Sequence, residues 1–232
     1  MNGLIGKKVG MTSVYSEDGT TMIPVTVIEV GPCTVLQCKT EEKDGYSAVQ
    51  VGFDSQKEHR VPAPMLGHFK KAGSEPKRVV REFRASEGEE LSAGQTLGAG
   101  DVFAADMWVD VTARSKGRGF QGVVKRYNFR GGRKTHGGHM HRRGGSIGQC
   151  VSPARVAKGR KMPGHMGNRI FTTQNLKVVS VLADDNAILI RGAVPGPNGG
   201  YVTVRHACKK PAPALPTKAA PAEEVTSDEG AE

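Results

Sequence analysis

The sequence predicts a mainly β protein, a barrel interrupted by one long basic, glycine-rich insertion. Three observations predict it. Short β-branched runs with partial apolar alternation fill residues 1–111, and the same signal returns after residue 175. Between them, residues 111–183 run for 73 positions without one Asp or Glu, while carrying 16 of the 33 Lys and Arg, four of the seven His and 13 of the 31 Gly. That window has too few large apolar residues to pack on itself, so it should project from a β domain rather than form a second one.

Taken in order, strands are expected at residues 4–15, 22–30, 34–38, 46–53, 79–84 and 107–111, each bounded by turn residues. One short accessory helix is expected over 63–72. Pro64 suits a first helical position, Met65, Leu66 and Phe69 share a face, and Gly73 can terminate the turn. Inside the window, Phe120, Val123, Val124 and Tyr127 fall at i, i+3, i+4 and i+7, an apolar helical face expected to anchor the arm to the barrel. Beyond Asn128, the string GGRKTHGGHMHRRGGSIG offers almost nothing to bury and is expected to be ordered by a partner. Late strands follow at 176–182, 187–192 and 201–206, with PGPNGG at 195–200 suited to joining adjacent strands. The last 24 residues, rich in Pro, Ala and Glu, are expected to be a disordered tail. The chain therefore divides into a β-barrel domain (1–113 and 170–208), an extended basic arm (114–169) and a tail (209–232).

Charge narrows the function. The formal net charge is +10, yet outside the window 17 basic residues face all 23 acids, a net of −6. A basic charge so concentrated belongs to one surface placed against phosphates. No apolar run approaches the roughly 20 residues that span a bilayer, and the N-terminus lacks a signal-like block, so a soluble, cytoplasmic protein without a membrane partner is expected. Cys33, Cys38, Cys150 and Cys208 form neither a CxxC pair nor a dense framework, and are expected to be reduced.

Three catalytic or ligand-binding readings fail on chemistry. The string GRGFQG at 117–122 has the GxGxxG form of a dinucleotide loop, but no acid follows until Asp184 to hold a ribose hydroxyl. His136, His139 and His141, with Cys150 nearby, match no structural zinc spacing and are surrounded by cations, so neither metal nor cofactor is expected. Ser146 and Ser152 have no carboxylate in their stretch to orient a general base. A binding protein, not an enzyme, is the consequence; an RNA-modifying enzyme recruiting distant acids and an architectural DNA binder are the rivals. A flexible arm whose cations each follow a different phosphate suits folded RNA better than duplex DNA, for which no recognition helix is visible. The expected phosphate contacts are Arg114, Lys116, Arg118, Lys125, Arg126, Arg130, Arg133, Lys134, Arg142, Arg143, Arg155, Lys158, Arg160, Lys161 and Arg169. His136, His139 and His141 join them as donors or stacking rings.

Specific strings add a resemblance. GLIGKKVGMT (3–12), FQGVVKRYNF (120–129), THGGHMHRRGGSIG (135–148), KMPGHMGN (161–168) and GAVPGPNGG (192–200) closely resemble bacterial large-subunit ribosomal protein three, over about residues 1–207. The resemblance implies a translation-protein-type β-barrel on the outside of the large subunit and a loop, here 114–169, entering ribosomal RNA toward the peptidyl transferase centre, with the approach near 144–161. It also implies an early role in subunit assembly, and large-subunit ribosomal RNA and neighbouring ribosomal proteins as partners. In some bacterial members the glutamine matching Gln149 is N-methylated on its side-chain amide, which implies a glutamine methyltransferase as a further partner. The tail from Lys209 is longer and more acidic than the family pattern requires.

Overall fold

The apolar alternation of the outer segments becomes a closed six-stranded barrel in the computed structural model, which describes residues 1–16, 18–85 and 91–210. The strands are β1 (Gly3–Tyr15), β2 (Met22–Val30), β3 (Cys33–Lys39), β4 (Ala48–Ser55), β5 (Lys77–Phe83), β6 (Thr96–Leu97), β7 (Trp108–Arg114), β8 (Phe120–Gln121), β9 (Gly164–His165), β10 (Ile170–Leu182), β11 (Ala187–Arg191) and β12 (Tyr201–His206). Among the described residues, four short α-helices intervene, α1 (Glu41–Asp44), α2 (Ala63–Lys71), α3 (Ala99–Val102) and α4 (Val123–Tyr127), with one 3-10 turn at Glu58–Arg60. None is long and apolar enough to cross a membrane.

Around the barrel the order is β1-β12-β7-β10-β11-β2, and β2 pairs back onto β1, so no edge is left open. Every pairing is antiparallel. Strands from both sides of the acid-free window thus share one barrel. A second sheet, β5-β4-β3-β6, packs against it. Leu4, Ile5, Ile28, Val111, Ile188 and Val204 from the barrel and Val35, Val51, Phe53 and Phe83 from the second sheet form one continuous buried core. Helix α2 is indeed an accessory: Phe69 and Ala72 join Leu36 and Val61 in a small separate cluster.

The mainly β reading holds, and several details differ from expectation. Strand β10 begins at Ile170 rather than near 176, because its first half is exposed and carries no apolar alternation to read; pairing with β7 makes it a strand. Strand β7 likewise runs on to Arg114. The strand expected from 46 starts at Ala48, and β6, α1 and α3 were too short to leave a sequence signal. In α2, Pro64 takes the second helical position and Met65 is exposed, so the predicted apolar face is narrower. Of the expected tail, residues 211–232 lie outside the described residues.

The segment 195–200 does not join adjacent strands. It leads from β11 to β12, which are separated in the barrel by β2 and β1. The crossing is fastened strand by strand. Gly192 N donates to Pro24 O (2.9 Å) on β2, while on β1 Gly199 N donates to Lys8 O (2.7 Å) and Lys8 N to Gly200 O (2.9 Å). The Lys8 side chain is buried beneath the crossing, where Nζ donates to the carbonyls of Val194 (2.8 Å) and Gly196 (3.4 Å). Burial, and then the nearby Lys116 charge, push the Lys8 pKa down. The register of β1 shifts between Lys8 and Gly10, which turns Val9 out to solvent.

A similar device bends β10. Its register against β7 shifts between Thr173 and Leu176, where Asn175 takes φ 55°, and the buried Asp110 carboxylate accepts the freed Asn175 N–H (2.8 Å). All four cysteines stand as free thiols. Cys33 donates to Ile5 O (3.4 Å), and burial pushes its thiol up to about 12, the behaviour of a structural rather than a reactive cysteine.

Candidate nucleic-acid interface

Residues 115–169 leave the barrel between two strands that are already hydrogen-bonded neighbours. Arg114 of β7 stands opposite Ile170 of β10, so the arm's two ends are held side by side. The pairing continues outward. Ser115 N donates to Arg169 O (2.8 Å), and the Ser115 hydroxyl donates to the same carbonyl (3.1 Å) while accepting Arg169 N (3.2 Å). Beyond that, Arg118 N donates to Met166 O and Met166 N to Gly119 O, each at 2.9 Å, and β8 pairs with β9 through Phe120–His165 and Gln121–Gly164. The result is a two-stranded stem. Gly167, at φ +75°, is required in it, because a Cβ there would collide with the Lys116 carbonyl.

Above the stem, Val123–Tyr127 makes one helical turn and Asn128, at φ 61°, closes it in the left-handed region. The predicted helical face is corrected here. Phe120 lies on β8 and is 74 % exposed, and Val123 packs within the arm beside Gly144 and Phe129 rather than against the barrel. Two residues before Gly122 the chain is still extended, which separates Phe120 from the helix that its spacing suggested. The glycine-rich string beyond is folded back on itself. Gly132 N donates to Met140 O (3.0 Å), and Gly131 and Gly132 lie so close to His141 and Met140 that side chains would clash with backbone.

Seventeen of the eighteen predicted RNA-facing residues are exposed: Arg114, Lys116, Arg118, Lys125, Arg130, Arg133, Lys134, His136, His139, His141, Arg142, Arg143, Arg155, Lys158, Arg160, Lys161 and Arg169. Among the described residues, none of them has a carboxylate partner, whereas Lys177, opposite Trp108 at the end of the β7–β10 pairing away from the arm, pairs with Asp106 (2.7 Å). Their charge is therefore free to meet a ligand. Arg126 is the exception. It is half-buried, its Nη1 donates to Met162 O (2.7 Å), it packs over Gly164, and its guanidinium lies 5.0 Å from the Tyr127 ring, so it braces the arm from inside.

Partial engagement orients other cations without neutralising them. Arg114 Nε donates to Asn168 O (3.3 Å) and Arg160 Nη2 to Ser146 O (2.5 Å), each guanidinium keeping further donors for a phosphate. His141 Nδ1 faces Arg133 O at 3.0 Å, so Nδ1 carries the proton and Nε2 remains free. Gln149 and Cys150 are exposed near the far end. Sequence reasoning did not single out Ser115, which ties the stem with its N–H and hydroxyl, Gly167, which lets the two stem strands approach, or Met162, whose carbonyl holds Arg126. It also passed over His165, which is exposed and paired across the ribbon with Phe120. Only the pairing identifies them; a positive-φ Gly-Asn pair at 167–168 is the one local signal.

Comparison with known proteins gives a consistent result. The family model described as "Ribosomal protein L3" matches residues 85–187. The chain is similar to "Large ribosomal subunit protein uL3" of Akkermansia muciniphila, with 53% identity over 90% of this chain and 99% of that protein. The protein of the same name from Brachyspira hyodysenteriae is 52% identical over 90% of this chain and 96% of its own length. That of Geobacter sulfurreducens is 51% identical over 89% and 98%.

Proposed function

The chain belongs to the ribosomal protein L3 family, a structural component of the large subunit in the cytoplasmic ribosome and not an enzyme, and from that premise we propose that it binds ribosomal RNA directly through residues 114–169. One observation carries the reading. The arm's cations, Arg126 apart, are exposed and have no carboxylate partner among the described residues, on a hairpin stem clamped to the barrel. Polyanion binding releases counterions in proportion to phosphates neutralised, and only unpaired cations supply that term in full.

In this reading the chain divides into a globular barrel (1–113 and 170–208), an RNA-binding arm (114–169) and a tail (209–232). The barrel meets neighbouring ribosomal proteins, and the far part of the arm, 144–161, extends toward the peptidyl transferase centre. The protein acts early in subunit assembly by fixing RNA geometry; peptide-bond chemistry belongs to the RNA. Gln149, exposed on the same far part, is accessible to a glutamine methyltransferase. Side-chain N-methylation there would remove one donor and add a small apolar group without changing charge. Peptide mass analysis of protein from native ribosomes checks this, and an unmodified Gln149 removes it.

The binding itself is tested by titrating the full chain with a large-subunit ribosomal RNA transcript over a range of salt. Replacing both Arg142 and Arg143 with Ala should weaken binding and flatten the log–log salt slope by about 0.7–0.9 for each phosphate that is no longer neutralised. An unchanged slope means that these two side chains neutralise no phosphate.

A further inference from the structure

The arm contains a hollow that phosphate binding does not explain. It has a volume of about 260 Å3 and lies between α4 and the segments 142–147 and 160–163. Val123, Phe129, Ile147, Met162 and Pro163 give it apolar walls. Arg142, Arg143, Arg160 and Lys161 line the same hollow. Gly144 keeps one wall thin, since a Cβ there would stand 3.2 Å from Val123 Cγ2 and 3.6 Å from Phe129 Cδ2. Gly145, at φ +75°, turns the chain around it.

Size and charge together select the occupant. Sites for drug-sized ligands run from roughly 300 to 1,000 Å3, so this hollow has room for one ring system rather than a whole nucleotide. Ile147 is 52 % exposed, an apolar side chain displayed amid cations. A protein partner would have to bring an apolar group flanked by several acids. A nucleic-acid strand brings both as a matter of covalent structure, a flat base with a phosphate on either side. The lack of any acid over residues 111–183 favours the strand.

We propose that this hollow receives one unstacked nucleobase of the bound RNA, with Arg142, Arg143, Arg160 and Lys161 on the adjoining phosphates; the proposal rests on the RNA-binding reading above. Phe129 supplies the ring against which the base stacks. The bond from Arg160 to Ser146 O leaves other guanidinium donors for a phosphate. A second hollow of about 350 Å3 shares Phe129, Arg143, Gly144 and Gly145, so an adjacent nucleotide has space beside the first.

The test uses the full chain and two single-stranded probes of equal charge: an oligoadenylate on the order of 12 nucleotides, and a ribose-phosphate oligomer of the same length without bases. The oligoadenylate should bind about 5- to 150-fold more tightly. Phe129→Ala and Ile147→Ala should each shrink that ratio while leaving affinity for the abasic strand and its salt slope unchanged. Should Phe129→Ala not fold by circular dichroism, Ile147→Ala alone decides, because its side chain is half in solvent. Equal binding of both probes, or a ratio that neither variant alters, overturns the base site while the RNA-binding reading stands, and hands the hollow to an apolar side chain of a neighbouring protein. Failure of both probes to bind at low salt overturns the RNA-binding reading and the base site with it.

Discussion

Replacing residues 130–161 with a short Gly/Ser linker should leave the barrel folded and exclude the protein from large ribosomal subunits. The first half follows from where the core lies. No residue between 115 and 169 belongs to the main buried cluster, which is built from the barrel strands, the second sheet and the segments joining them. The residues flanking the cut, Phe129 and Met162, line one hollow above the paired Gln121 and Gly164, so a short linker closes the arm without pulling on β7 or β10. Thermal unfolding should remain cooperative and near that of the full chain.

The second half follows from charge. The deletion removes Arg130, Arg133, Lys134, Arg142, Arg143, Arg155, Lys158, Arg160 and Lys161, nine exposed cations. A protein that neutralises about 6–10 phosphates changes affinity by about 10³–10⁵ between 50 and 200 mM salt, so taking away these nine cations removes the bulk of the electrostatic term. Sucrose-gradient sedimentation of tagged full-length and deleted chains from lysate measures this. Full-length protein should co-migrate with large subunits at high salt and leave them after ribonuclease, while the deleted chain stays at the top. A deleted protein that unfolds at much lower temperature would show that the arm is part of the core, and one that still enters subunits would transfer RNA binding to the barrel.

The second large effect is expected at Lys8. Lys8→Met keeps most of the buried volume but leaves the carbonyls of Val194 and Gly196 without their donor, under a crossing that they anchor. A buried acceptor stripped of its partner costs about 1–3 kcal/mol. The lysine's own desolvation, which lowers its pKa, offsets part of that loss, so the net is about 1–3 kcal/mol rather than the sum for two carbonyls. For a chain of this size that corresponds to a fall in Tm of about 2–12 °C. Thermal unfolding by circular dichroism checks it, with Val9→Ala, an exposed neighbour on the same strand, as the unaffected comparison. An unchanged Tm in Lys8→Met means that the crossing is held by its backbone bonds alone.

Much of the architecture was legible because it is local. Val202 and Val204 alternate inward with Thr203 and Arg205 outward, a period of two that needs no partner to be read. The absence of acids over 111–183 is likewise a property of composition, and it located the exposed cations without any structure. The failures share one cause. Ile170–Asn175 is a strand only because β7 lies beside it, and its exposed side chains show no alternation. Phe120 has helical spacing from Val123, but β9 captures it first. Arg126 has the same charge as its neighbours and the opposite duty.

The sequence by itself determined the mainly β class, the position of the insertion and the sign and concentration of its charge, since period and composition are written residue by residue. Only the tertiary structure decided that β2 closes onto β1, that residues 195–200 cross two strands over a buried lysine, and that one arginine is half-buried as a brace of the arm while the others stay exposed. Those outcomes depend on which distant segments share a hydrogen-bond ladder or a cavity, and such neighbours are chosen by the joint burial and pairing of the whole chain, which no local stretch carries.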